Sequence, residues 1–461
     1  MKGQSPTQRL GARIVCAALA AGCLSADARA GESDLEDQPI PDSTREIPTP
    51  MRRVFTRPET KQPLFSWVSN KMRDLPAFFS DGELQLKLRT YYMFQNLVGE
   101  KKSEAWAGGG SLYLRSGYLA DLFAVEVEGF TSQPAIAPSD RDGTLLLAPG
   151  QKGYSALGVA NARLKHWHTE IVGWRQYMDL PYVNRRDNRM TPQSFEGVTL
   201  LRDVEEIPFA FVGGYLWRIK LRNGNSFESF PEVLVPGLHV EDGIDAERGM
   251  ALAGILWQRS EDLTAGALSE YVPDLFNTVY SELAWDNDLV PVVDGKFELQ
   301  FTWQSSVGRE LASSFDTWNA GFRISASGKG GVARLAFVAT GKAASILNPW
   351  GSSPSYVNLM QRTFNLANEK ALLASLSYDF AGIGLENVAG ILNFAAGWDG
   401  RLLDGPARNK QEVNLTLDYR ITEGWLENFW LRLRGSWLHE EGFAEDGLDF
   451  RVILNYDLPV L

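Results

Sequence analysis

From Gly82 to the C-terminus the chain is written in short segments whose apolar and polar residues alternate at period two. Such alternation predicts strands with two unlike faces. In "ELQLKLRTYY", Leu84, Leu86 and Leu88 share one face, and Gln85, Lys87 and Arg89 the other. "SLYLRSGYLADLFAVEVEGF" predicts two strands, the second setting Phe123, Val125 and Val127 against Ala124, Glu126 and Glu128. "EVNLTLDYRI" opposes Val413, Leu415, Leu417 and Tyr419 to Glu412, Asn414, Thr416, Asp418 and Arg420. "NFWLRLRGSWL" opposes Phe429, Leu431 and Leu433 to Trp430, Arg432 and Arg434. "LDFRVILNYDL" opposes Phe450, Val452, Leu454 and Tyr456 to Asp449, Arg451, Ile453, Asn455 and Asp457.

Two architectures accommodate this pattern. In a soluble sheet the aliphatic face packs a core and the arginines meet bulk water. In a transmembrane barrel the aliphatic face meets lipid and the arginines line an aqueous lumen. The segments run about 9–11 residues, the span of a tilted membrane strand, where sandwich strands are nearer 5–6. Tyr91, Tyr92, Trp425, Trp437 and Tyr456 fall at or near segment ends, as interfacial girdles require. "TEGWLEN" is a short connection, whereas those after Phe130 and Gly341 are long. Short turns on one rim and long loops on the other suit a barrel. After residue 30 there is no run of 18 apolar residues, so no spanning helix is expected. The predicted fold class is all-β, a transmembrane antiparallel β-barrel.

The N-terminal 80 residues read differently. In residues 1–30, Lys2, Arg9 and Arg13 precede an apolar stretch from Ile14 to Leu24, and Ala28-Arg29-Ala30 forms a small-residue cleavage site. This is the layout of a secretory signal peptide. A rival reading is lipoprotein processing at Cys23, after "LAAG", although Ala20 stands where a leucine is usual. Residues 31–80 are Pro-rich and charged, too polar to offset their ordering entropy, and predict a disordered extension. Within it, Leu64 to Phe79 has the pattern of a short amphipathic helix, able to cover or plug something. The barrel then takes 81–461.

Compartment and charge narrow the function. Cys16 and Cys23 both lie in the signal, so the exported chain has no thiol for catalysis, metal or disulfide. Removing residues 1–30 takes a net charge of −12 to −15. Such acidity argues against nucleic acid as a partner.

Several stretches carry a closer resemblance. They are "LRTYYM" (Leu88 to Met93), "RSGY", "MDLPYVNRRDNRMTPQSFEGV" (Met178 to Val198) and "IKLRNGNSFESF", followed by Asn348 to Phe380 and the terminal "LRLR…FRVILNYDLPVL". In this order, and over roughly residues 80–461, the chain resembles the OprD-type porins, substrate-selective channels of the Gram-negative outer membrane. The resemblance implies one barrel of 18 antiparallel strands with long extracellular loops folding into the lumen. It implies no enzyme activity, no cofactor and no metal. The partners would be the outer-membrane bilayer and small anionic, carboxylate-bearing solutes, with the protein a monomer or a loose homo-oligomer. The chain departs from the family pattern in its longer N-terminal extension and in ending on Leu461 rather than an aromatic.

Two candidate sites follow. One is the constriction loop with Arg185, Arg186, Asp187 and Arg189; Asp187 and Arg189 match the family's acid-x-arginine element. A positive ring there would hold a carboxylate by charge-assisted hydrogen bonds. The alternative is four solvated loop charges. The other is a ladder of Arg420, Arg432, Arg434 and Arg451, with Arg89 on the lumenal register of the first strand. Its alternative is neutralisation by Asp418, Asp449 and Asp457. The segment from Asn348 to Asn368 would be a second infolding loop, with Trp350, Tyr356 and Phe364 in a wall or packed together. Two rival functions stand beside the porin: a plugged structural barrel and a barrel hydrolase. For the hydrolase the histidines are His166, His168, His239 and His439, and His166-Trp167-His168 is a conceivable metal pair.

Overall fold

The computed structural model describes residues 71–461 apart from 73, 205–206, 235–247, 261, 291–292, 403–404 and 425. The predicted signal peptide, the extension up to residue 70, Trp425 and His239 lie outside the described residues.

Nineteen strands follow one another: β1 (Glu83–Asn96), β2 (Ser103–Arg115), β3 (Phe123–Ile136), β4 (Tyr154–His166), β5 (Thr169–Gln176), β6 (Ser194–Arg202), β7 (Phe209–Lys220), β8 (Phe227–Glu228), β9 (Met250–Gln258), β10 (Leu263–Val272), β11 (Phe276–Val290), β12 (Val293–Ser306), β13 (Asp316–Gly328), β14 (Gly331–Thr340), β15 (Lys370–Asp379), β16 (Val388–Gly400), β17 (Arg408–Arg420), β18 (Phe429–Glu440) and β19 (Gly447–Pro459). β8 is two residues long and pairs with β7 alone. The other eighteen pair antiparallel with their sequence neighbours, and β1 pairs with β19 to close the sheet. Closure leaves the eighteen long strands without a free edge, so their ladders need no water to satisfy them.

The two faces divide as the alternation predicts. Outward positions carry exposed aliphatic and aromatic side chains, Leu335 at 56% among them, with Leu372, Leu392, Leu415, Leu433 and Phe450. Their intervening neighbours point inward and are buried, including Glu412, Asn414, Thr416 and Asp418 on β17. An aromatic belt stands where β2, β12 and β18 meet the long connections. There Trp106 donates to Thr90 Oγ1 at 2.6 Å, Trp303 to Asp316 at 3.1 Å and Trp437 to Asp446 at 3.0 Å. Each ring meets lipid while its N–H finds a polar partner. Tyr91, on the same strand face as Lys87 and Arg89, is 2% exposed and faces the lumen, as the alternation predicts, and so stands outside the belt.

The connections are short at one end and long at the other. At the turn end β13 and β14 join through Lys329 and Gly330, both at positive φ, the backbone that a two-residue hairpin requires. A one-turn helix, α1 (Ala77–Ser80), lies at this end, where Gly117 N donates to Phe78 O at 3.0 Å. At the other end run loop 2 (137–153), loop 3 (177–193), loop 4 (described over 221–234) and loop 7 (341–369), with α2 (Phe230–Leu234) inside loop 4.

Candidate functional site

The candidate residues fall on successive levels of the inner wall. Strand register sets Met93, Arg451, Arg434 and Thr416 side by side. Two residues nearer the turn end come Tyr91, Ile453, Arg432 and Asp418, and below them Arg89, Asn455, Trp430 and Arg420. Lys87 and Asp457 make the next level. Two residues along a strand rise about 6–7 Å, so the cations form steps and not one ring. All of them occupy the inward register of β1, β17, β18 or β19.

Ion pairs hold the upper steps. Arg432 donates Nε and Nη2 to the two oxygens of Asp418 at 2.7 and 2.8 Å. Arg451 does the same to Asp449 at 2.8 and 2.6 Å, and Gln95 adds a bond of 2.7 Å to that carboxylate. Arg432 also lies over the Trp430 ring at 4.7 Å. Arg432 and Arg434 are 1% exposed and Arg451 0%. The arginines lie on inward registers, and two of them are bound to resident carboxylates. Arg420 and Lys87 are only half-buried.

In loop 3 the cations are engaged within the protein. Arg185 pairs with Asp179 and stacks over Tyr177 at 4.5 Å. Arg186 is buried at φ +40°. Arg189 is buried too, donating Nε to Thr144 O in loop 2 at 2.8 Å and Nη1 to Asn188 O at 2.6 Å. Asp187, with a side chain 38% exposed, reaches down to Arg89, whose Nη1 lies 2.7 Å from it. Arg89 also bonds the Arg189 carbonyl at 2.5 Å and Asn455 at 2.7 Å. Loop 3 thus descends to the level of Arg89, which ties it to the wall. The loop carries mixed charge, with Arg186 and Arg189 buried and the Asp187 side chain partly exposed.

Loop 7 folds in beside it. Asn184 of loop 3 and Ser352 of loop 7 exchange two bonds, at 3.1 and 2.8 Å. Arg362 donates to Glu440 at 3.0 Å, and Gln361 N and Arg362 N donate to Glu412 at 2.8 and 3.0 Å. Trp350 is buried, stacked on Phe276 at 5.0 Å and edge-on to Phe230 at 5.4 Å. Phe364 is fully buried and Tyr356 nearly so, with Arg323 4.5 Å over its ring. All three aromatics anchor the loop rather than line open water.

The anchoring surface was missed in the sequence reading. Met178, Leu180, Tyr182 and Val183 of loop 3 join Leu252, Leu268, Val272, Phe276 and Tyr280 of β9–β11 in one buried cluster. Tyr182 hydrogen-bonds Thr302 at 2.8 Å; burial pushes its hydroxyl pKa up, partly offset by its hydroxyl neighbours. The signal was available in "MDLPYV", an apolar run within a predicted loop. His166 stacks on Trp167 in an exposed two-residue turn. His439 bonds Asp446 at 2.8 Å within the outer aromatic belt. Among the described residues no three His, Cys, Asp or Glu side chains gather as a metal site.

A closed antiparallel barrel of eighteen paired strands is the architecture of a porin. The family model for outer membrane porins of the OprD family matches residues 76–460, and the chain belongs to that family. It is similar in structure to OccK9 (OpdG) of Pseudomonas aeruginosa, with TM-score 0.75 and 23% identity over 83% of this chain and all of that one. OpdK of the same organism, crystallised with vanillate, gives TM-score 0.74 and 20% identity over 83% of this chain and all of that one. OccAB1 of Acinetobacter baumannii gives 0.73 and 15% over 85% of this chain and all of that one. No curated protein matches the chain. The protein is a porin of the Gram-negative outer membrane, which passes small solutes.

Proposed function

We propose that this porin is selective for small carboxylate-bearing solutes, narrowed by loop 3 and guided along the arginine steps. The observation that carries this reading is the alignment of Arg451, Arg434, Arg432 and Arg420 on the inward registers of three adjacent strands, with Arg89 and Lys87 alongside. Guanidinium holds a carboxylate bidentately and never loses its charge. Asp418 and Asp449 already occupy two steps, so a solute carboxylate exchanges with a resident one instead of being trapped. Conduction needs such weak, repeated sites. The vanillate in the OpdK structure is itself a carboxylate. The loop end would face outward and the turn end the periplasm, with each barrel working singly or in loose association.

A second reading, the plugged barrel, draws on the near-complete burial of Arg432, Arg434 and Arg451. Planar-bilayer recording separates the two. The channel reading expects small steps that a carboxylate solute blocks and its uncharged amide does not. Silence at all voltages, or equal block by acid and amide, contradicts it.

A further inference from the structure

β10 turns Thr264, Gly266, Leu268, Glu270 and Val272 inward, a row interrupted by one carboxyl. Glu270 is 1% exposed, and neither of its carboxylate oxygens has a hydrogen-bond partner. Its register partners are Leu252 on β9 and Thr278 on β11. Thr278 Oγ1 is already engaged, accepting from Gln304 at 3.0 Å. Along the strand it stands between Leu268 and Val272, inside the cluster that seats loop 3 through Tyr182 and loop 7 through Trp350. The titratable groups facing this part of the wall are few. Loop 3 presents Tyr182, which bonds Thr302. β11 presents Tyr280 and Glu282, bonded to each other at 2.9 Å. β9 offers Met250, Leu252 and Leu256; β12 offers Gln300, Thr302 and Gln304, and its Glu298 is taken by Arg323. Among the described residues no cation pairs with the Glu270 carboxyl.

An ionised carboxylate is not sustained in an apolar seat without donors or a counter-charge; the group stays neutral or the seat opens to water. We propose that Glu270 is a proton-operated latch on the constriction. As the neutral acid it forms part of the floor under loops 3 and 7; ionised, it draws in water, unseats Tyr182 and frees loop 3. The linkage gives the direction. The undocked form carries an ordinary carboxyl, ionised above about pH 4.3, while the docked form keeps the proton. Rising pH therefore favours undocking, by about tenfold in the equilibrium for each pH unit while the docked form holds its proton. The movement stands on the geometry alone, but its effect on conductance rests on the porin reading above.

The test measures amide protection factors around residues 180–183 between pH 6 and 10, for the full chain in lipid nanodiscs, beside single-channel conductance. Wild-type protection should fall by up to tenfold per pH unit while conductance rises. Glu270→Gln and Glu270→Leu should both stay protected and constant. Variants that titrate like the wild type, or a wild-type loop whose protection stays flat across the range, overturn the latch. Protection that falls without a change in conductance upholds the latch and instead removes loop 3 as the constriction.

Discussion

The two sides of the lumen solve opposite problems with the same period-two strand. On β17, β18, β19 and β1 the inward face includes ions held in pairs: Arg432 with Asp418, Arg451 with Asp449, and Arg89 with Asp187 of loop 3. On β9, β10 and β11 they are Leu252, Leu268, Val272, Phe276 and Tyr280, which hold loops by burial. The charged side costs desolvation that its pairs only offset, so it is an expensive way to build a wall and needs a use. The apolar side is the ordinary way to hold a loop still. One wall is suited to handling solute, and the other to fixing the aperture.

This division predicts unequal responses to substitution. The largest belongs to the charged wall. Asp449→Leu removes the carboxylate that takes two hydrogen bonds from Arg451, and breaking a buried ion pair costs about 3–5 kcal/mol. The urea midpoint of the refolded barrel should fall accordingly, and Asp449→Leu/Arg451→Met should recover most of the loss. On the apolar wall, Trp350→Ala removes the stack on Phe276 and the edge contact with Phe230. Truncating a buried aromatic costs about 3 kcal/mol or more, here spent on loop docking. The expected result is a noisier, larger single-channel current with the global midpoint nearly unchanged.

Asp187→Asn cuts the tie to Arg89, a pair in which Asp187 is well exposed. Discounted for solvent, it is worth about 1 kcal/mol or less, and conductance should rise modestly. The smallest effect lies at the rim. Backbone N–H of Arg309 and the guanidinium groups of Arg248 and Arg309 outweigh partial desolvation and hold the Asp274 carboxyl below its usual pKa. A depressed carboxylate stabilises above its unfolded pKa and loses that contribution as pH falls through the folded value. Asp274→Asn should therefore change rim-loop protection by a few tenths of a kcal/mol at neutral pH and not at all in strong acid.

The outer wall was legible because lipid contact imposes a strict alternation. Leu431 and Leu433 against Arg432 and Arg434 can be read from eleven letters once the compartment is known. The register that sets Arg434 beside Arg451 was not, because it depends on turn geometry at both ends of β18. The loop residues were least legible. Arg185, Asp187 and Arg189 look alike as letters, yet Arg185 pairs inside its own loop, Asp187 reaches the wall, and Arg189 bonds carbonyls in loop 2. Asp187 and Arg189 find partners far away in the chain, at Arg89 and Thr144, which neither period nor spacing encodes. Glu270 was legible only as an odd letter in an apolar row; its lack of partners needed the folded chain.

The central claim is that the arginine steps select carboxylates. Its most direct test is the flux into proteoliposomes of a small aromatic carboxylate relative to its uncharged amide, wild type against Arg432→Ala/Arg434→Ala. A charge-assisted contact contributes about 1.5–3 kcal/mol, so the account predicts a ratio at least about tenfold lower in the variant, with amide flux unchanged. An unchanged ratio in a variant that still conducts the amide would contradict it.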